Sequence, residues 1–266
     1  MAPVASLSAP RARAMGEVGR VRLMQAATIL LALAAWELAG ASGLFFRGVL
    51  PSIPLILAAV ARLLTGGAFW LNLATTAYEI GLAFVMGALL GAATGLALGA
   101  SRFAGQVMEP ILYYLAPAPK IVFLPVLLVL FGVGPGSKVA IGAMSCFFPV
   151  ALGVAAGVRL VPPVYLRVGR TLRLGLARTI RHIYIPALLP VLSSSLRLGL
   201  GVTVVGCLLS EIKLSNRGLG FMAMGFYKDF DIASMLAVLV VVFLLAAALN
   251  QAIAFALRQP GGTSRT

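Results

Sequence analysis

The stretch LNLATTAYEIGLAFVMGALLGAATGLALGA, residues 71–100, carries one charge, Glu79, in thirty residues. As an α-helix it measures about 45 Å, against a bilayer hydrocarbon core of about 30 Å. It can therefore cross a membrane, and must tilt or protrude to do so. Within it Gly87, Gly91, Gly95 and Gly99 recur at four-residue spacing. On a helix they stack on one face and form a groove that a second backbone can enter. This predicts tight helix packing and says nothing about a substrate.

The rest of the chain agrees with that reading. Of 266 residues, 61% are hydrophobic and 11% charged, where a soluble domain carries roughly 25% charged residues. So little polar surface cannot coat a globule in water. Five further segments satisfy the same length and apolarity criterion: residues 26–46, 107–132, 139–158, 188–212 and 232–257. The expectation is an all-α, polytopic bundle of six transmembrane helices, one domain over residues 25–258 with tails at 1–24 and 259–266. Pro51-Ser52-Ile53-Pro54 opens an amphipathic stretch to about Leu64, too short to span and placed along the interface. The span at 107–132 contains Pro117, Pro119 and Pro125. Proline removes an amide donor and clashes one turn back, so this helix should be broken or kinked near its start. Inside a membrane such a break is tolerated only against protein or a water-filled cavity. That places the third span at a pore, with Lys120 and Pro125 as candidate pathway residues and Glu211, in the fifth span, as a third.

The charges set the topology. The chain has 21 lysines and arginines against seven acids, a net charge of +14. Nucleic-acid binding needs a basic face on a soluble fold, and the spans leave no such domain. With the N-terminus inside, cytoplasmic segments collect thirteen of the basic residues and the opposite side six, the bias of the positive-inside rule. Both termini are thus placed in the cytoplasm. A basic N-terminus before an apolar run is also the pattern of a cleavable signal; the length of the run and the five spans after it favour a retained helix. Cys146 and Cys207 lie within apolar stretches and read as packing residues. A single histidine, His182, provides no metal-ligand cluster.

Residues 159–185 form the longest polar segment after the N-terminal tail, with six arginines, His182 and no acid. Their leucines and arginines fall on different helical faces, which predicts one or two short amphipathic helices on the cytoplasmic surface. Such a segment either lies on anionic lipid headgroups or docks a cytoplasmic partner.

The segment ending Ile183-Tyr184-Ile185-Pro186-Ala187-Leu188-Leu189-Pro190 resembles the "EAA" loop in permeases of binding-protein-dependent ABC importers. That loop reads Glu-Ala-Ala, three residues, glycine, nine residues, isoleucine, one residue, Leu-Pro. The resemblance continues along most of the chain. Leu50-Pro51-Ser52-Ile53-Pro54 is similar to the family's entry motif. Pro117-Ala118-Pro119-Lys120, Pro125, Phe131-Gly132-Val133-Gly134 and Ser137-Lys138 are similar to its third-helix signature. Arg217-Gly218-Leu219-Gly220 is similar to the signature before the last span. The branch is that of nitrate, sulfonate, taurine and thiamine-precursor permeases.

The resemblance implies a type I importer permease of the bacterial inner membrane, forming the pathway for a small solute. Its partners would be a second permease subunit, identical or not, a solute-binding protein outside, and ATPase subunits that hold ATP and magnesium. This chain has no phosphate-binding loop of its own: its glycines and lysine at 132–138 come in the wrong order. The implied coupling residues are Arg167, Gly169, Arg170, Leu172, Arg173, Leu174, Gly175, Ile183 and Pro186. Alignment from Pro186 puts Arg167, Val168 and Gly169 at the Glu-Ala-Ala positions, and Arg173 where the turn glycine belongs. An arginine there either moves the turn to Gly175 or weakens the joint. The main alternative is an ion-gradient-driven secondary transporter, which should show inverted repeats and paired intramembrane acids; neither is evident in the sequence. An intramembrane serine protease needs a histidine at membrane depth, and His182 lies in the loop.

Overall fold

A computed structural model describes residues 11–43 and 48–257, and these contain helices and no strand. Helices α1 (Arg11–Ala41), α2 (Ile53–Thr65), α3 (Gly67–Ala100), α4 (Arg102–Leu115), α5 (Leu124–Phe131) and α6 (Pro135–Leu160) make the first half. They are followed by α7 (Pro163–Thr171), α8 (Leu176–Thr179), α9 (Ile185–Lys213), α10 (Leu219–Lys228) and α11 (Ile232–Ala256). Among the described residues five helices are long and apolar enough to cross a membrane, and the bent α4–α5 pair makes a sixth if taken as one span.

Four differences from the sequence reading matter. First, α1 begins at Arg11, so residues 11–24 of the expected tail are helical; residues 1–10 of that tail and the expected tail at 259–266 lie outside the described residues. Within the chain α1 is held where Trp36 Nε1 donates to Pro51 O at 3.1 Å and the Ile53 amide donates to Glu37 Oε2 at 3.0 Å. Second, α2 does not merely rest at an interface: its Ala59 and Leu63 are buried in a cluster with Ala237, Val238 and Val242 of α11. Third, the break in the third span falls in its middle rather than near its start. α4 tolerates Pro110, ends at Leu115, and the chain turns by 88° before a 3₁₀ turn at Lys120–Phe123 leads into α5. Pro117 and Pro119 have no amide to donate, so the turn is closed by Ala118 N donating to Leu115 O and Val122 N to Pro119 O. Fourth, α10 was not anticipated.

The bundle is built around α3, α6 and α9. The glycine stripe of α3 faces α6: Cβ atoms on Gly87 and Gly91 would lie 2.5 Å from Ala143 O and 2.8 Å from Phe147 O. Gly95 and Gly99 meet Ala151, Ala155, Val154 and Val158 in the same way. Cys146, Val150, Val154 and Val158 of α6, also four apart, fill the groove and are buried. On its other side α6 accepts α9, where a Cβ on Gly199 would lie 2.9 Å from Cys146 Sγ and one on Gly206 3.0 Å from Ser145 Oγ. Without a hydrophobic drive between helices in lipid, close backbone approach supplies the packing. The two cysteines are buried and free.

Candidate functional site

Three features carry chemistry: a basic hairpin at one end of α9, a cavity beside the α4–α5 break, and a buried polar cluster at the other end of α9.

The hairpin is α7, a turn, and α8 running through a π-helical turn at Ile180–Tyr184 into α9. From Ala177 to Lys213 the helix is continuous over 37 residues. Pro163 starts α7 at a position where a missing amide costs nothing. Its end is a Schellman cap: Leu174 N donates to Gly169 O at 2.9 Å and Arg173 N to Arg170 O at 3.0 Å. The residue in the left-handed conformation that this cap requires is Arg173, at φ 51°. The turn therefore stays where the family glycine belongs and does not move to Gly175, which has an ordinary φ and open space around it. A side chain in that conformation costs about 1–2 kcal/mol. Gly169 is the buried residue of α7, and a Cβ there would lie 2.8 Å from Ile183 Cδ1. That contact explains a small residue at the last Glu-Ala-Ala position. Leu174 and Ile183 are half-buried, while Arg167, Arg170, Leu172, Arg173 and Pro186 are exposed. Together Val168, Gly169, Leu172, Leu174, Ile183 and Pro186 border an apolar groove of about 440 Å³. The groove is apolar, and Arg167, Arg170 and Arg173 of the same hairpin are exposed.

The cavity, about 420 Å³, lies between the α4–α5 break and the faces of α6 and α9. Ala116, Ala118, Pro119 and Lys120 come from the break, Ser145 and Phe148 from α6, and Leu198 and Val202 from α9. The Lys120 ammonium donates to Ala116 O and sits 4.8 Å from the centroid of the Phe148 ring. Of the three expected pathway residues, Lys120 alone lines this space. Pro125 is in the first turn of α5 and exposed elsewhere. Glu211 belongs to the third feature, for a reason the sequence does not display.

Glu211 is 1% exposed. Its Oε1 accepts from Thr76 Oγ1 at 2.6 Å and its Oε2 from Gly220 N at 2.6 Å. Thr76 Oγ1 in turn accepts from Leu219 N, and Asn72 Oδ1 from Gly218 N, both at 2.7 Å. Gly218, Leu219 and Gly220 begin α10, so three amides that a helix start leaves unpaired are taken by side chains of α3 and α9. Glu79, equally buried, lies beside the Glu211 carboxyl group, and its Oε2 has no hydrogen-bond partner among the described residues. Lys138, buried at the start of α6, donates to Val133 O and to Gly134 O at 2.9 Å and is the counter-charge nearby. The acids that read as separate thus lie side by side, and Glu211, with Thr76 and Asn72, anchors α10. Sequence reasoning missed Asn72 and Thr76. Their signal was present: 72, 76 and 79 are a polar stripe at helical spacing on an apolar helix.

The family model for the binding-protein-dependent transport system inner membrane component matches residues 83–258. The chain is 31% identical to the taurine transport system permease protein of Escherichia coli K12 over 66% of each chain. It is 30% identical to a putative aliphatic sulfonates transport permease protein of Bacillus subtilis 168, over 72% of this chain and 70% of that one. A nitrate import permease protein of Synechocystis is 26% identical over 66% of this chain and 64% of its own length. The matched stretch holds the glycine stripe from Gly87, the bent third span, the hairpin and the Gly218–Gly220 turn. This chain belongs to the family of binding-protein-dependent transport system inner membrane components.

Proposed function

We propose that the chain is the transmembrane permease subunit of an ATP-binding cassette importer. It forms the pathway for a small solute and couples to a separate ATPase subunit through the hairpin. The observation that carries this reading is the bracing of the hairpin on α9: α7, capped at Arg173 and packed at Gly169 close to Ile183, folds back on a helix that runs without interruption from Ala177 to Lys213. A push on α7 is delivered to α9, and through the α6–α9 contact to the wall of the cavity. Rocking of these helices exposes the cavity to each side in turn.

The chain sits in the bacterial inner membrane with both termini in the cytoplasm, beside a second permease subunit, identical or not. A solute-binding protein delivers from outside, and ATP and magnesium belong to the ATPase partner. This chain is read as a transport subunit without an ATPase site of its own. The names of its relatives point to taurine, an aliphatic sulfonate, nitrate or a related anion, and the resemblance adds thiamine-precursor-like compounds. A gradient-driven transporter would need its paired acids free to load an ion. Here Glu211 spends both its oxygens on Thr76 and Gly220 to seat α10, which leaves Glu79 as a single acid rather than a loading pair.

Uptake into membrane vesicles holding the whole assembly separates the two. It should require ATP and survive an uncoupler. Uptake that collapses with the uncoupler and ignores ATP removes the reading.

A further inference from the structure

The cavity beside Lys120 has an unusual economy of donors. Of its lining side chains only Lys120 and Ser145 are polar. The Ser145 hydroxyl already donates to Ile141 O at 2.8 Å. Pro119 and Pro149 in the wall have no amide to offer. The remaining side-chain donors are those of the Lys120 ammonium not used on Ala116, and the Phe148 ring stands beside that charge. Everything else is aliphatic, aromatic or glycine.

We infer that Lys120 and Phe148 form the specificity-determining site of the membrane pathway, and that it takes a small organic anion: one anionic head on an apolar body. The inference rests on the proposed function, since it assigns a solute to that pathway. An inorganic oxyanion such as nitrate or bicarbonate presents acceptors on every side. Bound here it would have the Lys120 ammonium as its one side-chain donor group and no apolar surface to set against the aliphatic wall. An organic anion presents its head to Lys120 and its body to Leu198 and Val202. The volume agrees, because 420 Å³ is room for roughly fourteen waters at about 30 Å³ each, far more than a bare oxyanion fills.

The test is ligand protection of the purified permease–ATPase assembly against thermal unfolding, without the binding protein and its own selectivity. The probes are nitrate, bicarbonate, methanesulfonate, ethanesulfonate and benzenesulfonate at millimolar concentration. The sulfonates should protect, with affinity rising as the body grows. Lys120→Gln should weaken that protection at least about tenfold, and Lys120→Arg should retain most of it. Equal protection by nitrate and benzenesulfonate, protection unchanged in Lys120→Gln, or no protection by any probe overturns the inference. ATP-driven uptake in vesicles, measured in parallel, separates this failure from a failure of the importer reading: flat selectivity with ATP dependence intact removes the Lys120 site alone.

Discussion

The carboxyl group of Glu211 lies directly beneath Gly218, at a backbone φ of 112°, so that a Cβ on Gly218 would overlap it. The glycine is thus required twice, by its left-handed conformation and by the acid it covers. Gly218→Ala should lower stability by about 2–6 kcal/mol, the sum of a strained backbone and an overpacked contact. Thermal unfolding of the detergent-solubilised chain measures it. A melting curve equal to that of the wild type would show that the turn does not seat on Glu211.

Glu211→Ala leaves the Gly220 amide and the Thr76 hydroxyl without their acceptor. Each unmatched buried group costs about 1–3 kcal/mol. The expected loss shows as early proteolysis near Leu219–Lys228 and faster amide exchange at Gly220, before the bundle itself opens. Unaltered exchange there would mean that α10 is capped by something else.

At the hairpin the direction is reversed. Arg173→Gly should raise stability by about 1 kcal/mol, because glycine takes the left-handed position without a Cβ penalty. Gly175, with open space around it and no unusual φ, should accept leucine with little change in unfolding temperature. A destabilised Gly175→Leu beside a neutral Arg173→Gly would place the turn at Gly175 after all.

The α3–α6 groove offers a matched pair on one helix. A Cβ on Gly91 would lie 2.8 Å from Phe147 O, whereas nothing stands within 4 Å of one on Gly81. Gly91→Leu should abolish recovery of folded protein from membranes, and Gly81→Ala should be silent. Both are read by size-exclusion profile after solubilisation.

Asp231 caps α11, its Oδ1 accepting the Ser234 amide at 3.0 Å. Hydrogen bonds from Ser234 hold the Asp231 carboxyl below the usual carboxylate range. A depressed carboxylate stabilises above its unfolded pKa of about 3.9 and loses that contribution as pH falls through the folded value. Asp231→Ala should therefore cost about 1 kcal/mol at neutral pH, and the variant and wild type should converge in acid. A gap that persists in acid would assign the loss to packing.

The membrane class, the spans and the close packing of Gly87, Gly91, Gly95 and Gly99 were legible because they are local: composition, length and helical period decide them. Pro117 and Pro119 announced a break, but not that Pro110 would be absorbed into α4 and the bend displaced toward the middle of the span. The role of Glu211 was not legible. Its partners lie 135 residues away at Thr76 and nine residues on at Gly220, and only the fold brings them together. The sequence left the hairpin turn open between Arg173 and Gly175, because propensity favours glycine there. The Schellman bonds and the Leu174 contact hold Arg173 in place against that preference.

The exposed tip of the hairpin is the proposed meeting point with a separate nucleotide-hydrolysing subunit. Leu172, 65% exposed at the end of α7, is the position to probe. A photo-crosslinking amino acid placed at residue 172 of the full chain, activated in native membranes, should capture an ATPase subunit on the cytoplasmic side. Capture of lipid alone, or of a protein outside the cytoplasm, would contradict the account.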